Sequence, residues 1–540
     1  MIDHRLLEAY IAELDALRGH GRDFSQAYPD IAARLDIGPR ASRDAHVERV
    51  VESSAFLAAR LRLVIDEVAT ELPLSILTIL APALIEPIPS MAIAEIVNGT
   101  AEKKIPRGTR FDTSRGGDNI CFQTTMPITV APIALRTELL DFTANSAAGL
   151  TIHCGGFKPP DPLVLYLGAN HRTAALVMDA LDENLSSIHI VSPNGEVRRL
   201  PRTALQIHGF APSEASLPVR RAAHPAHRIV TEFMVFPEKF RFISINDGNI
   251  ESGGQIQFRF NNPLRLMPPL PLDLFAANRV PVVNLWSTGG TPIDINGRQL
   301  EYPISVDTLR YRTVECHSVT SVKLFSSTSK DAQIIDPIIA LGDIVGSKVR
   351  WGVRRSISAY GGEIMLYFDG LDFRALGRER KLAVPLVIAS NRDIAQYLAA
   401  GTKLTPLEGL GTWQARLTMP PSPPRNANLN QEAMTALVGY LRSGMIGLVH
   451  DFKTGALRDY LRRFPGGQKA SWIDSIGAAT IEPVTALRRG QAQTGTSIRI
   501  RYDSSRQTTT SRAMVRRVLG QLLESQRGLN RVEEVSLDAF

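Results

Sequence analysis

Between Asp44 and Leu72 an apolar side chain returns every three or four positions: Val47, Val50, Val51, Leu57, Ala58, Leu61, Val64, Ile65, Val68 and Leu72. That spacing is one stripe of an α-helix. The opposite positions hold Glu48, Arg49, Glu52, Arg60, Arg62, Asp66 and Glu67. At about 1.5 Å per residue the helix would extend on the order of 40 Å. A small core does not cover that length. Either the stripe packs on a preceding helix and on the short segment Leu74–Leu80, or part of it faces another chain; the residues support both equally. The preceding helix is predicted over residues 4–19, with Leu6, Leu7, Tyr10, Ile11, Leu14 and Leu17 in one stripe and Gly19 and Gly21 ending it.

Pro82, Pro87 and Pro89 close the helical region, and from Met91 the period changes. Ile128–Leu135, Leu163–Leu167, Ser186–Val191, Ile256–Phe260, Pro281–Trp286, Glu363–Phe368 and Ala383–Ala389 read as strands. Turn signals such as Pro193-Asn194-Gly195 punctuate them, and 40 Gly with 34 Pro supply enough turns for many short strands. Two Pro-rich stretches, 262–271 and 420–424, are predicted to be extended linkers. After the second, Leu429, Met434, Leu437, Val438 and Leu441 share a helical face, Ser497–Tyr502 alternates, and Met514 to Leu523 is a helical stripe. The predicted fold is therefore α+β and multidomain: long N-terminal helices (1–90), two antiparallel β-rich units (91–262 and 272–419) and a C-terminal mixed α/β unit (425–540).

A search for chemistry returns little. The chain has no Gly-Lys step for a phosphate loop, no GxGxxG, no GxSxG and no HExxH. His224 and His227 form an HxxH pair without a nearby third ligand and are expected to be two surface histidines of a Pro-containing loop. Cys121, Cys154 and Cys316 are too sparse for a disulfide framework, which favours a reducing compartment. Asp3 and Glu8 interrupt any export signal, and the longest apolar stretch, Leu74–Ile85, is 12 residues, well short of the roughly 20 a membrane span needs. A cytoplasmic protein without catalytic residues, metal or cofactor is expected.

The net charge is +7, and most of it is local: residues 451–540 hold 15 Lys and Arg against 9 Asp and Glu, a surplus of six. Arg488, Arg489, Arg499, Arg501, Arg516 and Arg517 are the densest basic set, and Arg499 and Arg501 line one face of a predicted strand. No aromatic platform stands between them, so an acidic protein surface fits better than nucleic acid. In Phe236-Pro237-Glu238-Lys239-Phe240 two rings flank a turn. A core corner is the favoured reading of Phe236 and Phe240, and a partner hot spot the alternative.

Several phrases, taken in order, resemble one family. They are His46-Val47-Glu48-Arg49-Val50-Val51-Glu52, Ala55-Phe56-Leu57-Ala58-Ala59-Arg60, Glu86-Pro87-Ile88-Pro89-Ser90-Met91 and Glu232 through Phe240. Val282-Val283-Asn284-Leu285, Glu301-Tyr302-Pro303 and Ser390-Asn391-Arg392-Asp393 follow. Together they resemble TssF (also ImpG or VasA) of the bacterial type VI secretion system, from about residue 5 to beyond residue 460. The C-terminal phrase Val535 to Phe540 departs from the family pattern. The resemblance implies a non-enzymatic subunit of the baseplate wedge. It implies assembly with TssG, TssK, TssE and further TssF copies around the VgrG hub, and docking on the inner-membrane complex. A wedge protein of a phage-like contractile tail is the neighbouring possibility. On this reading Val47, Val51, Leu57, Leu61, Ile65, Phe236, Phe240, Arg499 and Arg501 are the candidate partner-facing residues.

Overall fold

The structure, a computed structural model, describes residues 4–34, 45–143, 146–220, 223–266, 270–271, 274–326, 329–338, 349–358, 361–371, 381–407, 409–426, 433–441, 455–488, 491–503, 509–525 and 531–539. The chain divides into two compact units, Met1–Ile79 with Asn428–Gly439, and Leu80–Ala427 with Tyr440–Phe540.

The first unit is built on α1 (His4–Ala27), α2 (Pro29–Arg34) and α3 (Ala45–Leu80). Both long helices outrun their predicted ends. α1 passes through Gly19 and Gly21, and α3 passes through Pro73. A helical glycine costs about 1 kcal/mol, too little to stop a helix whose side chains are held on a neighbour. Leu74–Leu80, expected as a separate packing segment, continues α3 to its end. Glu13 pairs with Arg62 at 2.7 Å, and Arg18 donates from Nε to Glu48 at 3.2 Å. The crossed order of these pairs makes α1 and α3 antiparallel neighbours. Residues 433–441 are helical with Met434 and Leu437 buried; Leu429 lies outside the described residues.

The second unit holds the sheets. Six strands close a barrel in the order Met91–Val97, Arg279–Val283, Asp118–Thr124, Arg110–Arg115, Lys403–Pro406, Gln414–Leu417. A five-stranded sheet runs Val197–Leu200, Leu185–Val191, Gln255–Leu264, Ala147–Gly156, Ile133–Leu140. A third, eight-stranded sheet has the long pair Glu315–Ser326 and Lys381–Ser390 at its centre. The C-terminal sheet places Gln491–Tyr502 between Ile476–Arg488 and Arg531–Ala539, the last pairing in parallel. Antiparallel ladders dominate, as the alternating runs predict. Two helices missed by that reading, α4 (His171–Asp179) and α5 (Pro225–Val235), pack on the C-terminal helix Arg512–Ser525.

The predicted domain boundaries need correction. The barrel takes strands from both sides of the Pro-rich stretch 262–271, so 91–262 and 272–419 share one closed sheet. Asn262, Pro263 and Leu264 end a strand rather than start a linker, with Leu264 opposite Ala147. The second stretch is extended but anchored. Ser422 N–H donates to the Met91 carbonyl at 2.8 Å, and Arg425 exchanges backbone bonds with Ile88 at 2.7 and 2.9 Å. Residues 425–540 are likewise not a separate body, because Arg512–Ser525 packs on α4 and α5. Those pairings join residues hundreds of positions apart, which local period cannot reveal.

Candidate interaction surfaces

In α3 the two helical faces are inverted relative to a self-contained hairpin. Ala55 and Ala59 are fully buried and lie on the same face as Glu48 and Arg62, the residues clamped to α1. The inward seam is thus built from methyl groups. The larger apolar side chains face out: Val50, Leu57, Leu61, Val64 and Ile65 are 55–65% exposed and Leu72 is 69% exposed. Val47 and Val51 are half-buried at the edge of the same stripe. Five candidate residues, Val47, Val51, Leu57, Leu61 and Ile65, are therefore brought to one side of one helix. The stripe spacing made this legible; that the alanines rather than the leucines face α1 was not.

Phe236 and Phe240 are 2% and 0% exposed. A ring inside the core offers nothing to a partner, so both leave the candidate surface. Phe240 packs edge-on to Phe233 and Phe210, with centroids 5.3 and 5.2 Å away. The same corner encloses an ionic knot. Glu232 is fully buried on α5; its Oε1 accepts from the N–H groups of Ser216 and Leu217, each at 2.9 Å. Its Oε2 accepts from Arg228 at 2.9 Å and from Lys239. Burial alone would raise the Glu232 carboxyl, but Lys239 and Arg228 outweigh it and hold the group below its usual range. Lys239 shares that carboxylate with Arg228, and burial pushes it down to about 8.

The other quoted phrases also turn inward. Asn284 and Asn391 are fully buried, and Asn284 Nδ2 donates to Asn391 Oδ1 at 2.8 Å. Asn391 N–H answers to Asn284 Oδ1 at 2.8 Å, and the pair also binds the backbones of Cys121, Asn119 and Ser90. These bonds join the barrel to the end of strand Lys381–Ser390. Glu86 accepts from Arg220 at 2.9 Å and lies 4.0 Å from Arg355. Burial alone would raise the Glu86 carboxyl; the Arg220 and Arg355 guanidinium groups hold it low. Burial pushes His317 down to about 4, and its neutral ring donates from Nε2 to the Pro87 carbonyl at 2.9 Å. The phrases around Glu86, Asn284 and Asn391 are structural ties.

The HxxH pair is not a pair of loop histidines. His224 is the exposed N-cap of α5, where Nδ1 accepts from Ala226 N–H at 3.2 Å. His227 is buried beside the Phe464 ring, and burial pushes it down to about 4. Cys121, Cys154 and Cys316 are free and buried, and burial pushes each thiol up to about 12. Among the described residues no group of three or more His, Cys, Asp or Glu is arranged to hold a metal, and no helix is long and apolar enough to cross a membrane.

The C-terminal basic set splits. Arg499 and Arg501 share the exposed face of Gln491–Tyr502, while Ile498, Ile500 and Tyr502 are buried beneath. Arg499 lies 3.4 Å from Glu482, and Arg501 is in register with Asp538. Arg516 and Arg517 instead turn into the chain. Both bind Asp182, Arg516 at 2.6 Å and Arg517 Nε at 3.0 Å, and Arg512 binds Glu183. Ser511 and Ala513 donate to Asp179 at 2.5 and 2.9 Å, which caps the last helix from outside. Much of the basic surplus thus meets an acidic surface belonging to the chain itself. The side chains of Arg488 and Arg489 lie outside the described residues.

A chain whose charged motifs are spent on internal ties, while a long helix turns its leucines outward, is a subunit of a protein assembly. The match to known proteins specifies which. Residues 2–539 fit the family model "Type VI secretion system, TssF", and the chain belongs to that family of structural baseplate components. The match carries the family through the C-terminal segment whose end phrase departs from the pattern. The chain is 25% identical to TssF1 of Pseudomonas aeruginosa strain PAO1, over 90% of this chain and 87% of that one. Its fold is that of a chain in the type VI secretion TssK-TssF-TssG baseplate subcomplex, with a TM-score of 0.73, 18% identity and coverage of 92% of this chain and 96% of the other. A second baseplate complex from the type VI secretion system contains a chain with a TM-score of 0.61 and 20% identity, covering 99% and 97%.

Proposed function

We propose that this chain is the TssF subunit of a type VI secretion baseplate wedge, non-enzymatic, with TssG and TssK as direct neighbours. The observation that carries the reading is the outward stripe of α3, with Leu57, Leu61 and Ile65 exposed and Val47 and Val51 half-buried at its edge, on a chain whose family match runs from residue 2 to 539. At about 25 cal/mol per Å² of apolar surface removed from water, covering such a ridge supplies a substantial association energy. TssG is assigned to this ridge. Arg499 and Arg501 form a second, weaker contact for an acidic protein surface, screened by salt. Further TssF copies, TssE and the VgrG hub complete the assembly, which meets the inner-membrane complex from the cytoplasmic side. Rigid sheets joined by bonded rather than loose segments suit a subunit that moves as a body when the sheath contracts.

The test is co-purification of the full chain with TssG and TssK. Leu61→Asp puts a carboxylate into the apolar seam and should abolish recovery of TssG while the strand signal in circular dichroism persists. Wild-type recovery of TssG with that variant overturns the assignment of the ridge.

A further inference from the structure

The five-stranded sheet has two unlike faces. Ile188, Ile190, Ile256, Phe258, Leu150 and Ile152 are all at most 4% exposed and form its inner side. On the outer side the register sets Arg199 opposite His189, and His189 opposite Gln257. Arg259 stands two residues further along Gln255–Leu264, opposite Ser187. Two strand spacings put the arginine-bearing strands roughly 10 Å apart.

Arg199 is exposed, Arg259 and His189 are half-buried, and among the described residues neither arginine makes an ion pair. Arg259 donates to the neutral Gln257 at 3.3 Å, and Ser187 Oγ meets His189 Nε2 at 3.1 Å. Glu138, on the edge strand Ile133–Leu140, is already held by Arg136 at 2.8 Å and His153 at 3.1 Å. Burial, Arg259 and Arg199 together hold His189 below its usual value, as expected where positive charge is uncompensated. Elsewhere the molecule treats arginines differently: Arg512, Arg516 and Arg517 sit on Asp182 and Glu183. The Glu482 and Asp538 neighbours of Arg499 and Arg501 dilute that second basic face as well.

We propose that the Arg199–His189–Arg259 face is a docking site for a protein surface carrying at least two clustered carboxylates. Charge complementarity selects that occupant. Two planar guanidinium groups with neutral donors between them match paired carboxylates bidentately. Duplex DNA would call for more cations along a line, and a lipid surface for a polybasic cluster of about four to eight. This docking does not depend on which protein covers α3.

The experiment places a photo-crosslinking amino acid at Gln257 in the full chain, in cells that make the whole secretion apparatus, and identifies the joined peptide by mass spectrometry. The expected result is a peptide with two or more Asp or Glu next to the joint. Arg199→Glu with Arg259→Glu should lower the yield about tenfold or more, and the neutral pair Arg199→Gln with Arg259→Gln should lower it less. Reversing the partner's acids to Arg should restore the Glu variant. Both variants should melt like the parent, because these side chains hold no carboxylate in place. The proposal is overturned by a joint to an acid-poor segment, to lipid or to nucleic acid, by no joint at all, or by an unchanged yield in the Glu variant.

Discussion

α3 and α5 make opposite use of their residues. α5 buries ten of its eleven residues, including Arg228 and Glu232. α3 exposes Leu57, Leu61 and Ile65 and buries Ala55 and Ala59. Residue type alone does not separate the two, since both mix apolar side chains with charged ones. The contrast teaches that surroundings decide. A charged helix can be interior when each charge is matched, and an apolar ridge can be exterior when its cover comes from another molecule. α5 therefore belongs to the stability of the chain, and α3, on the proposed function, to its assembly.

That division breaks most visibly at Glu232. Replacing it with Ala leaves Lys239 and Arg228 buried without an anion, and should cost about 3–5 kcal/mol, read as a large fall in the denaturation midpoint. A loss below about 1 kcal/mol would mean the knot is solvated. Phe240→Ala removes a fully buried ring between Phe233 and Phe210 and should cost about 3–5 kcal/mol as well. Unchanged stability with lost assembly would return Phe240 to the partner surface.

A smaller effect comes from pH. His317, facing Glu86, Arg220, Arg355 and the Pro87 carbonyl, is held down to about 4, with burial the main cause. Its ring is neutral when folded but protonates near pH 6.5 when unfolded. The unfolded state then binds more protons, so this contribution is intact above about pH 6.5 and is lost as pH falls from there towards 4. His227 acts in the same direction. Urea midpoints should drop between pH 7 and 5, and His317→Gln should flatten part of the slope. A slope identical to the parent's would remove His317 from the account.

Leu61→Asp should give the smallest change in the isolated chain, within about 0.5 kcal/mol, because Leu61 is 61% exposed. A drop of several kcal/mol would show that the ridge is covered within the chain, and the comparison with α5 would fail.

Much of the architecture was legible because period reports local geometry. The stripe of α3, the alternation in Ser497–Tyr502 and most of the strands follow from side chains repeating on one face. Helix ends were not legible. Gly19 and Gly21 are weak stops where neighbours hold the helix, and even Pro73, a stronger one, lies inside α3. The short helices α4 and α5 were hidden: α5 sets Arg228, Thr231 and Glu232 on one side, but its 11 residues are about three turns, too few to stand out among the strands around it.

By itself the sequence determined the change from helix to sheet beyond Pro82, the composition of each strand and the family, since these depend on residues near one another or on their order. Only tertiary structure decided that Arg516 and Arg517 would meet Asp182, that Asn284 would meet Asn391, and that strands before and after residues 262–271 would close one barrel. Those contacts join residues about 100 to 340 positions apart. Their energy comes from excluding water around matched charges and amides, and no local period records where a distant partner will stand.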